Sequence, residues 1–233
     1  MYMGTVQFVI RRKTAFSCAL LPYRIYINGQ YVGTLRNGGA LVVNVPRANA
    51  YYIEDDVFSE CNALISDKGQ AKYGIVIKTS GGWHSAPSRE FYLEGNCGLE
   101  QTKALHYNKL YQLFFERRTN ELSPEDRTLA LCIMFFRCID ELQELLSSDE
   151  LLSITAALRR IGADKYAHTL QSLVQKDFSD VELPLNDEYS DKLQDRIEAA
   201  SKAFDADKIA LDELHQAFVH YLIDNIDKAT FVF

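Results

Sequence analysis

From residue 6 to residue 93 the chain reads in short windows that alternate apolar and polar residues or run briefly apolar: 6–10, 23–27, 31–35, 41–45, 51–54, 73–78 and 90–93. They are rich in Val, Ile and Tyr, which suit a pleated, half-buried surface. Asn28-Gly29 lies between two of them and predicts a type I′ hairpin, whose two central residues need positive φ. Asn37-Gly38-Gly39 closes the next hairpin on the same grounds. About seven short strands with frequent turn signals predict an antiparallel β-sandwich.

Past residue 118 the period changes. Ser123-Pro124-Glu125-Asp126 is a helix start: Ser can cap, Pro tolerates the first helical position, and two acids face the positive end of the dipole. The helix expected from there to about residue 146 is apolar on most sides and reads as the buried centre of its domain. Four more are expected over about 149–161, 164–176, 187–204 and 207–226, the first of them stopped by Gly162 at a left-handed position. Thr230-Phe231-Val232-Phe233 is apolar and is expected to dock on the body of the protein. Residues 103–118 fit two readings. Leu110, Tyr111 and Phe114 share a helical face, whereas Leu113-Phe114-Phe115 suits a last strand.

The fold class predicted is therefore α+β: an N-terminal antiparallel β-sandwich over residues 1–118, followed by a separate all-α helical bundle over residues 119–233. Charge marks the same seam. Residues 1–118 carry 14 Lys and Arg against 9 Asp and Glu, a net +5, while residues 119–233 carry 11 against 23, a net −12. The whole is 47% hydrophobic and 24% charged, the balance of a folded protein. No basic leader precedes an apolar core at the N-terminus, and no run approaches the ~18 apolar residues of a membrane span. A cytoplasmic protein with no membrane partner is expected. Five cysteines (Cys18, Cys61, Cys97, Cys132, Cys138) show no regular spacing, so free, buried thiols are expected rather than a disulfide framework.

Two resemblances bear on function. Ile25 to Leu35 (IYINGQYVGTL), with residues 40–46 closing on Pro46, resembles the repeat of PEGA-type β-sandwich domains, although Arg47-Ala48-Asn49 replaces the usual Gly after the Pro. That resemblance implies a spacer or adaptor. Ala157 to Ala167 (ALRRIGADKYA) is similar to the core of an all-helical bacterial domain family of largely unknown function, whose best-known member is a DNA mimic. This likeness covers about residues 120–228. The family's Asn-Gly-Gly segment is replaced here by residues 142–150 (LQELLSSDE), so an activity carried by that turn is not implied for this chain.

Candidate chemistry is sparse. Asp187, Asp191, Asp195 and Glu198 form a helical stripe at spacings of four, four and three, so carboxylates recur about every 6 Å. DNA phosphates recur about every 3.4 Å per strand. A basic protein is therefore the expected partner, with direct nucleic-acid binding not expected and the oligomeric state open. Lys192, Arg196 and Lys202 interrupt the stripe, which makes a solvated face the plainer reading. Trp83 and His84, on the glycine-rich segment Ser80-Gly81-Gly82-Trp83-His84-Ser85, are the alternative site. Trp83 there either stacks on a ligand or glycan or folds back to cap the sandwich, the commoner fate of an aromatic in a small domain. Arg11-Arg12-Lys13 either meets an acidic surface or, as the better reading, discourages edge pairing of the first strand. No phosphate loop, GxSxG, HExxH or CxxC occurs, and His215 and His220 diverge by roughly 140° on a helix. No catalytic residue, metal or cofactor is expected. The protein reads as a non-enzymatic interaction or regulatory protein.

Overall fold

In the computed structural model the described residues are 4–16, 18–56, 59–81, 88–116, 118–138, 142–181, 183–185, 191–205 and 211–231, without the side chains of 191 and 203–205. Strands come first and helices after, an α+β chain. It divides into two compact units, the first ending at His106 and the second spanning Tyr107–Phe231. The border read from charge lay near 118; residues 107–115 belong with the helices because they are themselves a helix.

The described part of the first unit holds β1 (Thr5–Arg12), β2 (Tyr23–Ile27), β3 (Gln30–Leu35), β4 (Ala40–Pro46), β5 (Ala50–Glu54), β6 (Asn62–Ser66), β7 (Lys72–Ser80), β8 (Ser88–Gly95) and β9 (Gly98–Gln101). They form a five-stranded sheet in the order β4-β1-β7-β8-β9 and a four-stranded sheet in the order β3-β2-β5-β6. Alternation places Val6, Phe8 and Ile10 of β1 and Tyr73, Ile75 and Ile77 of β7 in one apolar cluster with Ile25 and Ile27 of β2 and Tyr51 and Ile53 of β5. Phe8 stacks on Tyr73 at 5.4 Å and meets Tyr51 edge-on at 4.9 Å.

Three expectations change here. The larger sheet is mixed, not antiparallel throughout, because β1 pairs with β7 in parallel, Phe8 opposite Tyr73 and Ile10 opposite Ile75. A period of two reads the same in both directions, so it carries no information on pairing sense. Asn28-Gly29 does make the β2–β3 hairpin, with φ of +51° and +76°. Asn37-Gly38-Gly39, however, joins strands of different sheets rather than a hairpin. Finally, β1 lies between β4 and β7, so Arg11-Arg12-Lys13 guards no edge.

The second unit holds α1 (Tyr107–Phe115), α2 (Pro124–Cys138), α3 (Leu142–Leu146), α4 (Leu151–Arg160), α5 (Asp164–Asp177), α6 (Asp191–Asp205) and α7 (Leu211–Asp224) among its described residues. The helix expected over 124–146 is described in two stretches, α2 and α3, and residues 139–141 between them lie outside the described residues. The start signal holds: Ser123 Oγ accepts the Asp126 N–H at 3.1 Å and donates to its carboxylate at 2.7 Å. Buried α2 packs against α1, α4 and α7. Gly162 ends α4 at φ +83°, where the Ala163 N–H reaches the Leu158 carbonyl at 2.8 Å. Thr230 is docked as expected of the chain end, its N–H and hydroxyl donating to the buried Asp126 carboxylate at 3.1 and 2.6 Å; Val232 and Phe233 lie outside the described residues. No described helix is long and apolar enough to cross a membrane.

Candidate functional site

The alternation that fills the core of the first unit continues one position further at one end of the strands, and there it changes chemistry. Beyond Ile10 the next position of that parity on β1 is Arg12; before Ile25 on β2 it is Tyr23; beyond Ile53 it is Asp55; beyond Ile77 on β7 it is Thr79; before Phe91 on β8 it is Arg89. Five polar groups thus close the apolar cluster. Arg12 is 2% exposed and Asp55 is buried. Charges so placed need partners, since an unpaired buried ion is costly.

The partners are present. The Arg89 guanidinium meets Asp55 at 2.6 Å, and the Ser59 hydroxyl donates to the same carboxylate at 2.9 Å. Burial pushes the Asp55 carboxyl above its ordinary range, and Arg89 and Ser59 offset that only in part. The Tyr23 hydroxyl lies 2.9 Å from Thr79 Oγ1. Its ring carries the Arg12 guanidinium 3.7 Å from the centroid, with that of Arg89 at 5.2 Å.

Arg12 spends its two terminal nitrogens on the β1–β2 loop. One donates to the Leu21 carbonyl at 2.6 Å and the other to the Cys18 carbonyl at 2.7 Å. Asn37 holds the near side of the loop, accepting the Ala15 N–H and donating to the Ala15 carbonyl, both at 3.0 Å. Cys18 sits at φ +58°, where an L-residue is rarely found. The loop is therefore fixed at residues 15, 18 and 21. Between and beside those points it presents Phe16 at 82%, Leu20 at 95% and Leu21 at 61% exposure. Large apolar side chains grouped on one loop mark a docking surface far better than scattered ones do.

Sequence reading missed this loop. It counted Arg12 as one of three like charges, and residues 14–22 show neither period, so no element claimed them. The usable signal was the apolar run Ala19-Leu20-Leu21 inside a connection between strands, where solvent-facing residues are expected.

The residues singled out from sequence fare unevenly. Trp83 and His84 lie outside the described residues, on the connection from β7 to β8; Ser80 and Ser88 flank it with their hydroxyls 2.6 Å apart. Asp187 is also outside, and of Asp191 only the backbone, at the start of α6, is described. Asp195 and Glu198 are exposed on α6. The cation between them, Arg196, is bound to Asp180 at 2.7 and 3.1 Å and to the Asp177 carbonyl. Glu198 lines a groove of about 590 Å³ with Glu144, Lys202 and Ile197. Lys192 and Lys202 are exposed, so two of the three interrupting cations remain on the surface. Among the described residues no group of three His, Cys, Asp or Glu is placed to hold a metal. None of the five cysteines is in a disulfide, but Cys97 is exposed and Cys18 and Cys61 half-buried, so only Cys132 and Cys138 are the buried thiols expected.

No family model, no curated protein and no solved structure matches this chain.

Proposed function

We propose that this chain is a non-enzymatic adaptor whose first unit, read as a β-sandwich module, docks through the loop of residues 13–22. One observation carries the reading: a buried arginine and an asparagine side chain order a loop whose exposed residues include Phe16, Leu20 and Leu21. Ordering a loop costs roughly 1–2 kcal/mol of backbone entropy per residue. Leaving large apolar side chains in water on such a loop returns nothing to the fold. Binding is where that cost is recovered, because a preorganised loop loses less freedom on association.

A photoreactive amino acid in place of Leu20 tests this. Adducts should form at position 20, not at a matching position on β3, and should disappear when Arg12→Ala unhooks the loop. Adducts that ignore Arg12 would remove the loop from consideration.

A second reading, in which the acidic second unit engages a basic protein and imitates a nucleic-acid surface, is supported by the free display of Asp195 and Glu198 beside an internally paired Arg196. Such an interface weakens steeply as salt rises. Its affinity should fall in Asp195→Ala and Glu198→Ala.

A further inference from the structure

We infer that the partner of this loop is an anionic lipid surface, into whose interfacial layer Phe16, Leu20 and Leu21 insert. The inference rests on the loop being the docking face proposed above, and deepens it by naming the occupant.

Charge argues first. Residues 1–53 contain six Lys and Arg and no Asp or Glu; the first carboxylate in the chain is Glu54, which is buried. Around the loop, Lys13 follows the clamping Arg12, Arg24 follows Tyr23, and Arg36 precedes the clamping Asn37; all three are exposed. Arg11 is occupied by Glu94 at 2.6 Å. Of the exposed carboxylates near this end, Asp56 and Glu60 sit on the β5–β6 connection, and Glu90, next to Arg89 on β8, accepts the Tyr92 hydroxyl at 2.6 Å. The loop itself holds no acid, so no carboxylate is carried into the interface with it.

Form argues second. Phe16 is 82% and Leu20 95% exposed, so most of each side chain faces outward. Whatever covers them must surround them. A protein partner does so only with a pocket shaped to each tip, whereas the headgroup–acyl boundary accepts any set of apolar tips. Apolar insertion combined with basic residues at the headgroups is the recurrent physics of peripheral attachment. It requires no membrane span, consistent with the lack of a spanning helix among the described residues.

The experiment uses the full chain and vesicles of phosphatidylcholine alone or with about 30% phosphatidylserine, the anionic lipid that attracts basic segments. Sedimentation should show binding at least about tenfold tighter to the anionic vesicles, lost in high salt. The double variant Leu20→Glu, Leu21→Glu should abolish it without shifting the melting temperature. Lys13→Gln and Arg36→Gln should each weaken it about fivefold, the contribution of one basic side chain near such a surface. Vesicle binding that survives the double variant would overturn the inference. Absence of vesicle binding together with Arg12-dependent protein adducts at position 20 would also overturn it, and would leave the loop as a protein-docking site. If neither vesicles nor adducts respond to the loop, the docking reading fails with it.

Discussion

Arg12 shows how one residue changes meaning between sequence and structure. In the string it is the middle of Arg11-Arg12-Lys13, and its neighbours point to solvent. On the strand it shares the inward parity of Val6, Phe8 and Ile10, so its guanidinium closes the core and reaches the carbonyls of Cys18 and Leu21. Those two bonds and the Tyr23 ring make three interactions with one planar group, which a lysine ammonium cannot reproduce. Arg12→Ala should destabilise the first unit by about 2–4 kcal/mol, the range for losing charged hydrogen bonds at a buried site. Arg12→Lys should recover only a minor part. Denaturant melts would give the magnitude, and amide exchange confined to residues 18–21 would show that the loop is what Arg12 holds. Equal protection in wild type and Arg12→Ala would refute the clamp.

Among the elements, legibility followed local chemistry. Asn28-Gly29 was readable because positive φ at two successive residues is a property of the dipeptide itself. Asn28 also accepts the Tyr52 N–H at 2.9 Å, so the hairpin tip is tied to β5. Gly29→Ala, at φ +76°, should cost about 1–2 kcal/mol, the penalty of an L-residue in the left-handed region, measurable as a lowered urea midpoint. An unchanged midpoint would mean that the turn relaxes freely. Gly162 was readable for the same reason. Strand β6 was not: its first four residues are all buried, so no alternation marks it. Nor was β9, whose four residues are all exposed. Within the ambiguous segment 103–118, residues 107–115 became α1, with Leu110 and Tyr107 turned to one buried side, while Lys103 makes an antiparallel bridge with Leu64. Only a neighbouring surface could make that choice.

For the whole molecule, two units of opposite charge set the response to acid. In the first, Asp67 accepts the Tyr73 hydroxyl at 2.6 Å, the Gly69 N–H at 3.0 Å and Arg47 at 2.7 Å. Burial raises its carboxyl, but these donors together hold it below the ordinary range. In the second, burial likewise opposes Ser153, Thr119 and Arg127, which hold Glu150 below its range. A carboxyl depressed by folding stabilises the protein above its unfolded pKa, and that stability is lost as pH falls through the folded value. The urea midpoint should therefore decline from about pH 5 toward about pH 3. Asp67→Asn should lower it at pH 7 and flatten the acid decline; a decline of unchanged depth in Asp67→Asn and Glu150→Gln would show that other groups govern it. The order of strands before helices, the turn at Asn28-Gly29, the helix start at Ser123 and the uneven charge were determined by the sequence alone, since each depends on residues a few positions apart. The parallel pairing of β1 with β7, the passage of the chain between sheets at Asn37-Gly38-Gly39 and the exposure of Phe16, Leu20 and Leu21 were decided only by tertiary structure. Each depends on which distant segment arrives alongside, and for the loop on Arg12 being turned inward to find its carbonyls.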